Sequence, residues 1–202
     1  MRVIAGEFRS RRLKTLAGLA LRPTPDRLRE TLFNVLAPRI AGCLFVDAYA
    51  GSGAVGIEAL SRGAARAVFI EKHPAAVRVI RENLAALGIE ARAQVIQASA
   101  AMIVGRFQDG IVFLDPPYPM VKEYGAALRA LGAAPRPSLL VIVQHCWRQP
   151  APESEGALKR VRQLRQGGNT LSFYTPCQPV SVQEHTQPLV ESGGAGRPGR
   201  GG

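Results

Sequence analysis

Short runs of aliphatic and β-branched residues alternate with stretches of helical periodicity through the middle of the chain. Val, Ile, Leu and Phe crowd 43–48, 67–71, 92–97, 110–115 and 139–144, and each run has the length of a strand buried on both faces. Helical patterns fill the intervals at 54–62, 75–87, 99–107 and 121–131. In the second of these, Val77, Ile80, Leu84 and Leu87 share one face. Such alternation predicts an α/β fold with right-handed crossovers and a mostly parallel sheet covered on both sides. After the fifth run the rhythm changes. Residues 158–164 and 170–174 flank the turn-prone Gln166-Gly167-Gly168-Asn169, which predicts a closing antiparallel hairpin. Ahead of the alternating region, Val3-Ile4-Ala5 and Leu13-Lys14-Thr15-Leu16 predict a small hairpin around an Arg-rich turn. A helix follows over 25–37, with Thr24 as N-cap and Pro25 at its first position. Its apolar stripe of Leu28, Leu32, Val35 and Leu36 stops at Pro38.

Composition divides the chain into three parts. At 202 residues, 47% hydrophobic and 20% charged, it suits one ordinary globular domain. Residues 1–39 read as a basic hairpin and helix belonging to that domain, 40–176 as its core, and 177–202 as a Gly/Pro-rich disordered tail ending GGAGRPGRGG. The formal net charge is +11, and 1–39 hold nine Lys or Arg against three acids, a net of +6. That excess points to a polyanionic partner, and Arg9, Arg11, Arg12 and Lys14 are the natural phosphate contacts. The three cysteines, Cys43, Cys146 and Cys177, form no CxxC pair, so neither a disulfide framework nor a zinc site is expected. His145 beside Cys146 reads as an ordinary strand end, and no metal is expected. With no signal-peptide pattern and no apolar run long enough for a membrane span, a cytoplasmic protein is expected.

Two motifs carry chemistry. Asp47-Ala48-Tyr49-Ala50-Gly51-Ser52-Gly53-Ala54-Val55-Gly56 lies where the first strand gives way to a helix. Its glycines allow close backbone approach, and the helix N-terminus offers unpaired N–H groups. Glu71, at the end of the second strand, is placed to hold ribose hydroxyls, so a nucleoside-bearing cofactor is implied with its identity open. A tight turn beside an exposed acid is the alternative. Asp115-Pro116-Pro117-Tyr118 ends the fourth strand, and ligands of open parallel sheets bind at such strand ends. An exocyclic base amine is a poor nucleophile because its lone pair is delocalised into the ring. Hydrogen bonds to the Asp115 carboxylate and the Pro116 carbonyl would draw the nitrogen out of plane. Pro117 would stiffen the loop, and Tyr118 would stack on an extruded base.

Together these motifs resemble S-adenosylmethionine-dependent amino-methyltransferases with a [D/N/S]-P-P-[Y/F/W] loop. The segment RPTPDRLRETLFN at 22–34 and the run from Asp47 to Ala64 narrow the likeness. Over about 1–175 the chain is similar to the bacterial 16S rRNA guanine-N2 methyltransferase family. The resemblance implies a Rossmann-like class I fold with a seven-stranded, mostly parallel sheet, the antiparallel hairpin supplying the last two strands. It implies S-adenosyl-L-methionine along Asp47, Ala50, Gly51 and Gly53, with Glu71 on the ribose and Ser99 near the adenine, where the family commonly has Asp or Asn. Thr24, Arg29 and Phe33 would help close over the cofactor. Gln144 stands where the family often has an acid. The implied partner is 16S rRNA, naked or within the small subunit or an assembly intermediate, gripped by Arg9, Arg11, Arg12, Lys14 and Arg22. The enzyme would act as a monomer. DNA adenine-N6 methylation, a nicotinamide-dependent oxidoreductase and a noncatalytic RNA-binding or assembly factor are the competing readings.

Overall fold

The structure, a computed structural model, describes residues 1–16, 24–116 and 121–177. Eight strands form one sheet: β1 Leu44–Asp47, β2 Arg66–Glu71, β3 Ala93–Gln97, β4 Ile111–Leu114, β5 Leu140–Cys146, β6 Ser154–Glu155, β7 Leu158–Gln166 and β8 Asn169–Pro176. Their spatial order is β3-β2-β1-β4-β5-β8-β7-β6. The first five pair in parallel and the last three run antiparallel. Among the described residues five α-helices accompany them: α1 Asp26–Ile40, α2 Ala54–Ser61, α3 Pro74–Leu87, α4 Ala100–Ile103 and α5 Val121–Leu131.

Strand side chains alternate between two cores. Phe45, Phe69, Ile111, Phe113 and Ile142 face α1, α2 and α3, whereas Val46, Val68, Val112, Leu114 and Val143 face α4 and α5. Handedness dictates this division. The chain moves outward from β1 to β2 and β3, then returns to place β4 on the other side of β1. Right-handed crossovers in opposite directions must cover opposite faces. Burial on both faces explains why β1, β4 and β5 read as nearly continuous apolar runs.

The sheet has one strand more than the seven expected. β6 is a two-residue edge strand that pairs with Leu158 and Lys159 around Gly156, and it carries no apolar pattern to announce it. The helix expected over 25–37 starts one residue later and runs through Pro38 to Ile40. Ile40 is buried, and the Arg39 guanidinium donates to the Ser138 carbonyl at 2.7 Å, so tertiary anchoring carries the last turn past the proline. Thr24 does not cap α1: Pro25 is the N-cap residue, and the threonine hydroxyl is engaged elsewhere. The helix expected over 99–107 is α4 followed by a 3₁₀ turn, Val104–Arg106. The expected two-residue hairpin turn is present, with Gln166 paired to Asn169 across Gly167 and Gly168. The expected tail lies outside the described residues apart from Cys177.

The N-terminal pairing is tighter than predicted, and its register differs. Residues 1–3 pair with 11–13 through an Arg2–Arg12 bridge. Val3, Phe8 and Leu13 plug this segment into the core beneath α2 and α3. It is also clamped by polar contacts. The buried Glu58 carboxylate of α2 accepts the Ile4 N–H at 2.8 Å, the Ala5 N–H at 3.0 Å and the Arg62 Nε–H at 2.8 Å. The Ser61 hydroxyl accepts from the Phe8 N–H and donates to the Ala5 carbonyl. Removing this one carboxylate strands two part-buried amides and a guanidinium. Glu58→Ala should therefore lower stability by about 2–4 kcal/mol in urea unfolding. It should also expose the basic N-terminal segment to trypsin, and an unchanged midpoint would contradict this account of how the segment is held.

Candidate functional site

The strand order reverses between β1 and β4, and a cavity of about 510 Å³ opens at the carboxyl ends of these strands. Its size is that of a small-molecule site. Asp47, Ala48, Tyr49, Ala50, Gly51 and Ser52 contribute from the end of β1 and the turn after it. Ile70 to His73 contribute from the end of β2, Ala98 to Ala100 from the end of β3, and Asp115 and Pro116 from the end of β4. Thr24, Pro25 and Asp26 approach from the start of α1, while Met1, Thr15 and Leu16 border the cavity from the N-terminal segment.

The glycine turn folds as its composition demands. Gly51 and Gly53 have φ of +53° and +79°, in the left-handed region that side chains with a Cβ avoid. Glu71 braces the turn from below: its carboxylate accepts the Gly51 N–H at 2.9 Å and the His73 N–H at 2.8 Å. Each of its oxygens thus keeps a lone pair for a hydroxyl donor. Asp47 ties the strand end to the next helix by accepting the Gly56 N–H at 3.0 Å. Across the cavity, the Thr24 hydroxyl donates to Asp115 Oδ2 at 3.1 Å, latching the start of α1 onto the end of β4. Ser99 is the N-cap residue of α4, and its hydroxyl makes no capping bond.

Two carboxylates in one recess are electrostatically uncomfortable. Burial pushes Asp47 up to about 7, with the Gly56 N–H pulling down and the charge of Glu71 pushing further up. Asp115 is also raised to about 7 by burial, against the pull of the Thr24 hydroxyl and with a contribution from Asp47.

The expected site residues divide into four groups. Asp47, Ala50, Gly51, Glu71, Ser99, Thr24, Asp115 and Pro116 line the cavity. Arg29, Phe33 and Gly53 do not. Phe33 is fully buried in the core beneath, 5.9 Å from the Phe45 ring centroid. Arg29 is fully buried behind the cavity wall, where its Nη2 donates to the Arg2 carbonyl at 2.6 Å and to Asp26 at 3.0 Å. Its place is to hold the N-terminal segment against α1. Gly53 shapes the turn, and a Cβ there would lie 3.3 Å from Ile80 in the core. Pro117, Tyr118 and Arg22 lie outside the described residues. Arg9, Arg11, Arg12 and Lys14 are all exposed on the N-terminal segment that borders the cavity. Lys14 pairs with Glu82 at 2.8 Å, and Arg11 donates to the Ala86 carbonyl at 3.1 Å.

Asn169 and Gln144 are among the lining residues to which the sequence assigned no role. Asn169, at the mouth of the β7–β8 hairpin, reaches the cavity because β8 inserts beside β5, a placement no local pattern reveals. Gln144 on β5 is 5% exposed, and its Oε1 has no hydrogen-bond partner among the described residues. A buried amide oxygen left unpaired at a cavity wall is positioned for a ligand donor.

Comparison with known proteins places these observations in a family. Residues 1–175 match the family described as conserved hypothetical protein 95. Ribosomal RNA small subunit methyltransferase D of Escherichia coli is 44% identical over 120 residues, covering 58% of this chain and 60% of that protein. YlbH of Bacillus subtilis, a candidate rRNA methyltransferase, is 39% identical over 123 residues, covering 58% of this chain and 67% of that one. Matched segments thus span about three fifths to two thirds of these relatives. A solved structure of yhhF from Escherichia coli, a candidate methyltransferase, superposes with a TM-score of 0.77 at 31% identity, covering 88% of this chain and 99% of that one. The fold is the Rossmann-like class I methyltransferase fold.

The raised carboxylates set a pH signature. In the unfolded chain each aspartate loses its proton near pH 4, whereas the folded chain retains it to about 7. Between those values the folded state binds more protons, so these groups make stability fall as pH rises from about 4 to about 7, with no further loss above. Asp115→Asn removes one such group and keeps an acceptor for Thr24. Thermal melts should show a shallower decline and a higher Tm than the parent at about pH 8. An identical pH profile would mean that Asp115 is not strained by burial.

Proposed function

The chain belongs to the conserved hypothetical protein 95 family, together with ribosomal RNA small subunit methyltransferase D of Escherichia coli, and from this premise we propose that it methylates the exocyclic N2 amine of a guanine in small-subunit 16S rRNA, using S-adenosyl-L-methionine. The single observation that carries the reading is the convergence of the glycine turn and the Asp115-Pro116 strand end on one cavity. Either feature alone has other uses. Together they put a nucleoside-binding wall opposite a group able to hold a planar amine.

The residues present fit that cofactor. Glu71 retains lone pairs for ribose hydroxyls, the Gly51 turn admits close backbone approach, Asp47 offers a carboxylate at the strand end, and the Ser99 hydroxyl, free of any capping bond, is available to the adenine amine. When bound, the cofactor supplies an electrophilic methyl on a cationic sulfonium. Asp115 and the Pro116 carbonyl accept the two N–H groups of the base amine, localise its lone pair and aim it at the methyl. The Asp115 carboxylate would favour the positive charge that develops on the nitrogen as the methyl–sulfur bond breaks with its electrons left on sulfur, and the surplus proton would then pass to solvent. Thr24, latched to Asp115, fixes that carboxylate in orientation.

Guanine rather than adenine is favoured by Gln144. The N2 amine of guanine stands beside an N1–H donor, and the buried, unpaired Gln144 Oε1 is an acceptor on the same wall as Asp115. Adenine presents an acceptor beside its amine and would leave that oxygen unpaired unless the amide turned its Nε2 toward the base.

Asp115→Ala should abolish methyl transfer to 16S rRNA lacking the modification, while cofactor affinity by calorimetry stays within a few-fold of the parent. Full activity in that variant would remove the carboxylate from the mechanism. Replacing Arg9, Arg11 and Arg12 together by Ala should weaken RNA binding and flatten its dependence on log salt, by about 0.7 for each phosphate left without its cation on single-stranded RNA, without altering cofactor affinity. An unchanged slope would return these arginines to being merely solvated.

A further inference from the structure

We infer that Trp147, with Arg165 and Arg148, forms a second RNA contact: a stacking platform for an unpaired nucleotide flanking the target base. The inference rests on the RNA-methyltransferase reading and concerns a surface separate from both the cavity and the N-terminal arginines.

Trp147 is the chain's single tryptophan and is 42% exposed. It follows the last residue of β5, and its N–H donates to the Gly168 carbonyl in the β7–β8 turn at 3.3 Å. The guanidinium carbon of Arg165 lies 4.1 Å from the indole centroid, and that of Arg148 lies 5.1 Å away. Two cations beside one half-exposed indole form a rigid, positively charged, planar cluster.

An ordinary surface cluster would compensate these charges, and this one does not. Among the described residues, neither Arg148 nor Arg165 has an acidic partner. The neighbouring β7 carries Lys159, Arg160, Arg162 and Arg165 with no acid in the strand, and among these Arg160 alone forms an ion pair with a described residue, Glu153. Arg148 and Arg165 thus leave positive charge beside the indole uncompensated by any described acid. An aromatic face adds what a solvated basic strand lacks, since every base offers a π-face to stack on.

Position ties the cluster to the cavity. Cys146, immediately before Trp147, pairs across the sheet with Asn169, and both Asn169 and Gln144 line the cavity. The platform thus flanks the cavity at the β5–β8 side. The N-terminal segment borders it at the other through Met1, Thr15 and Leu16, while Arg11 reaches the Ala86 carbonyl in the last turn of α3. A single strand crossing the carboxyl end of the sheet would meet the reacting base at the cavity and a stacked neighbour on the β5–β8 side. Stacking would hold that neighbour out of a helix, the state in which an adjacent base can enter a recess.

The lone indole provides a direct readout. Titrating the full chain with a short unpaired RNA oligonucleotide should quench tryptophan fluorescence, and the same sequence annealed into a duplex should quench it far less. By anisotropy of a labelled oligonucleotide, Trp147→Ala should weaken binding about tenfold, within the range for losing one base–aromatic stack. Trp147→Phe should recover most of the loss. In steady-state transfer assays, KM for RNA should rise in Trp147→Ala with kcat nearly unchanged, and cofactor affinity should stay that of the parent. Equal quenching by duplex and single strand, or parental RNA affinity in Trp147→Ala, would overturn the platform even in a chain that methylates rRNA. Absence of transfer by the parent chain alongside single-strand quenching would instead sink the methyltransferase reading and leave the platform standing.

Discussion

Right-handedness of the β–α–β crossover is the constraint on which this molecule depends. Because β2 and β4 lie on opposite sides of β1, the crossovers leading to them leave on opposite faces, and no helix can cover the carboxyl end of β1. The opening there brings Asp47 and Asp115, 68 positions apart in sequence, to one recess. Everything chemical in the proposed mechanism follows from that opening being filled by acids and glycines rather than by apolar side chains.

Filling it so has a physical cost. Two aspartates in a dry recess resist ionisation, and an amide oxygen on the same wall is left without a partner among the described residues. A core selected for stability alone would replace all three. In the proposed function a cationic cofactor would relieve the carboxylates, and a base with adjacent donors would pair with both Asp115 and Gln144. Thr24 and Glu58 show the complementary strategy. Thr24 fastens the start of α1 to the end of β4, and Glu58 fastens the N-terminal segment to α2.

Much of this was legible in the sequence, because burial on both faces of the parallel strands leaves a strong local signature. Strands β1 to β5 and helix α5 fall within one or two residues of where their apolar runs place them. The two motifs were legible because chemistry restricts which residues can occupy a strand end. What was hidden depends on long-range packing. β6 is made by backbone pairing alone, and α1 continues past Pro38 because Ile40 finds a core. Arg29 and Phe33 share a helix with the cavity-facing start of α1 but point the other way, a distinction that requires knowing which face meets the sheet. Asn169 and Trp147 gain their positions only when β8 inserts between β5 and β7.

The central claim is that one cavity joins a methyl donor to a guanine amine of small-subunit rRNA. Supplying the chain with isotopically labelled S-adenosyl-L-methionine and a mixture of naked 16S rRNA, small subunits lacking the modification and duplex DNA, then mapping the label by mass spectrometry, tests it most directly. The account predicts label on N2 of a single guanine of 16S rRNA, from naked RNA or subunits. Label confined to adenine in DNA, or on any rRNA position other than a guanine amine, would contradict it.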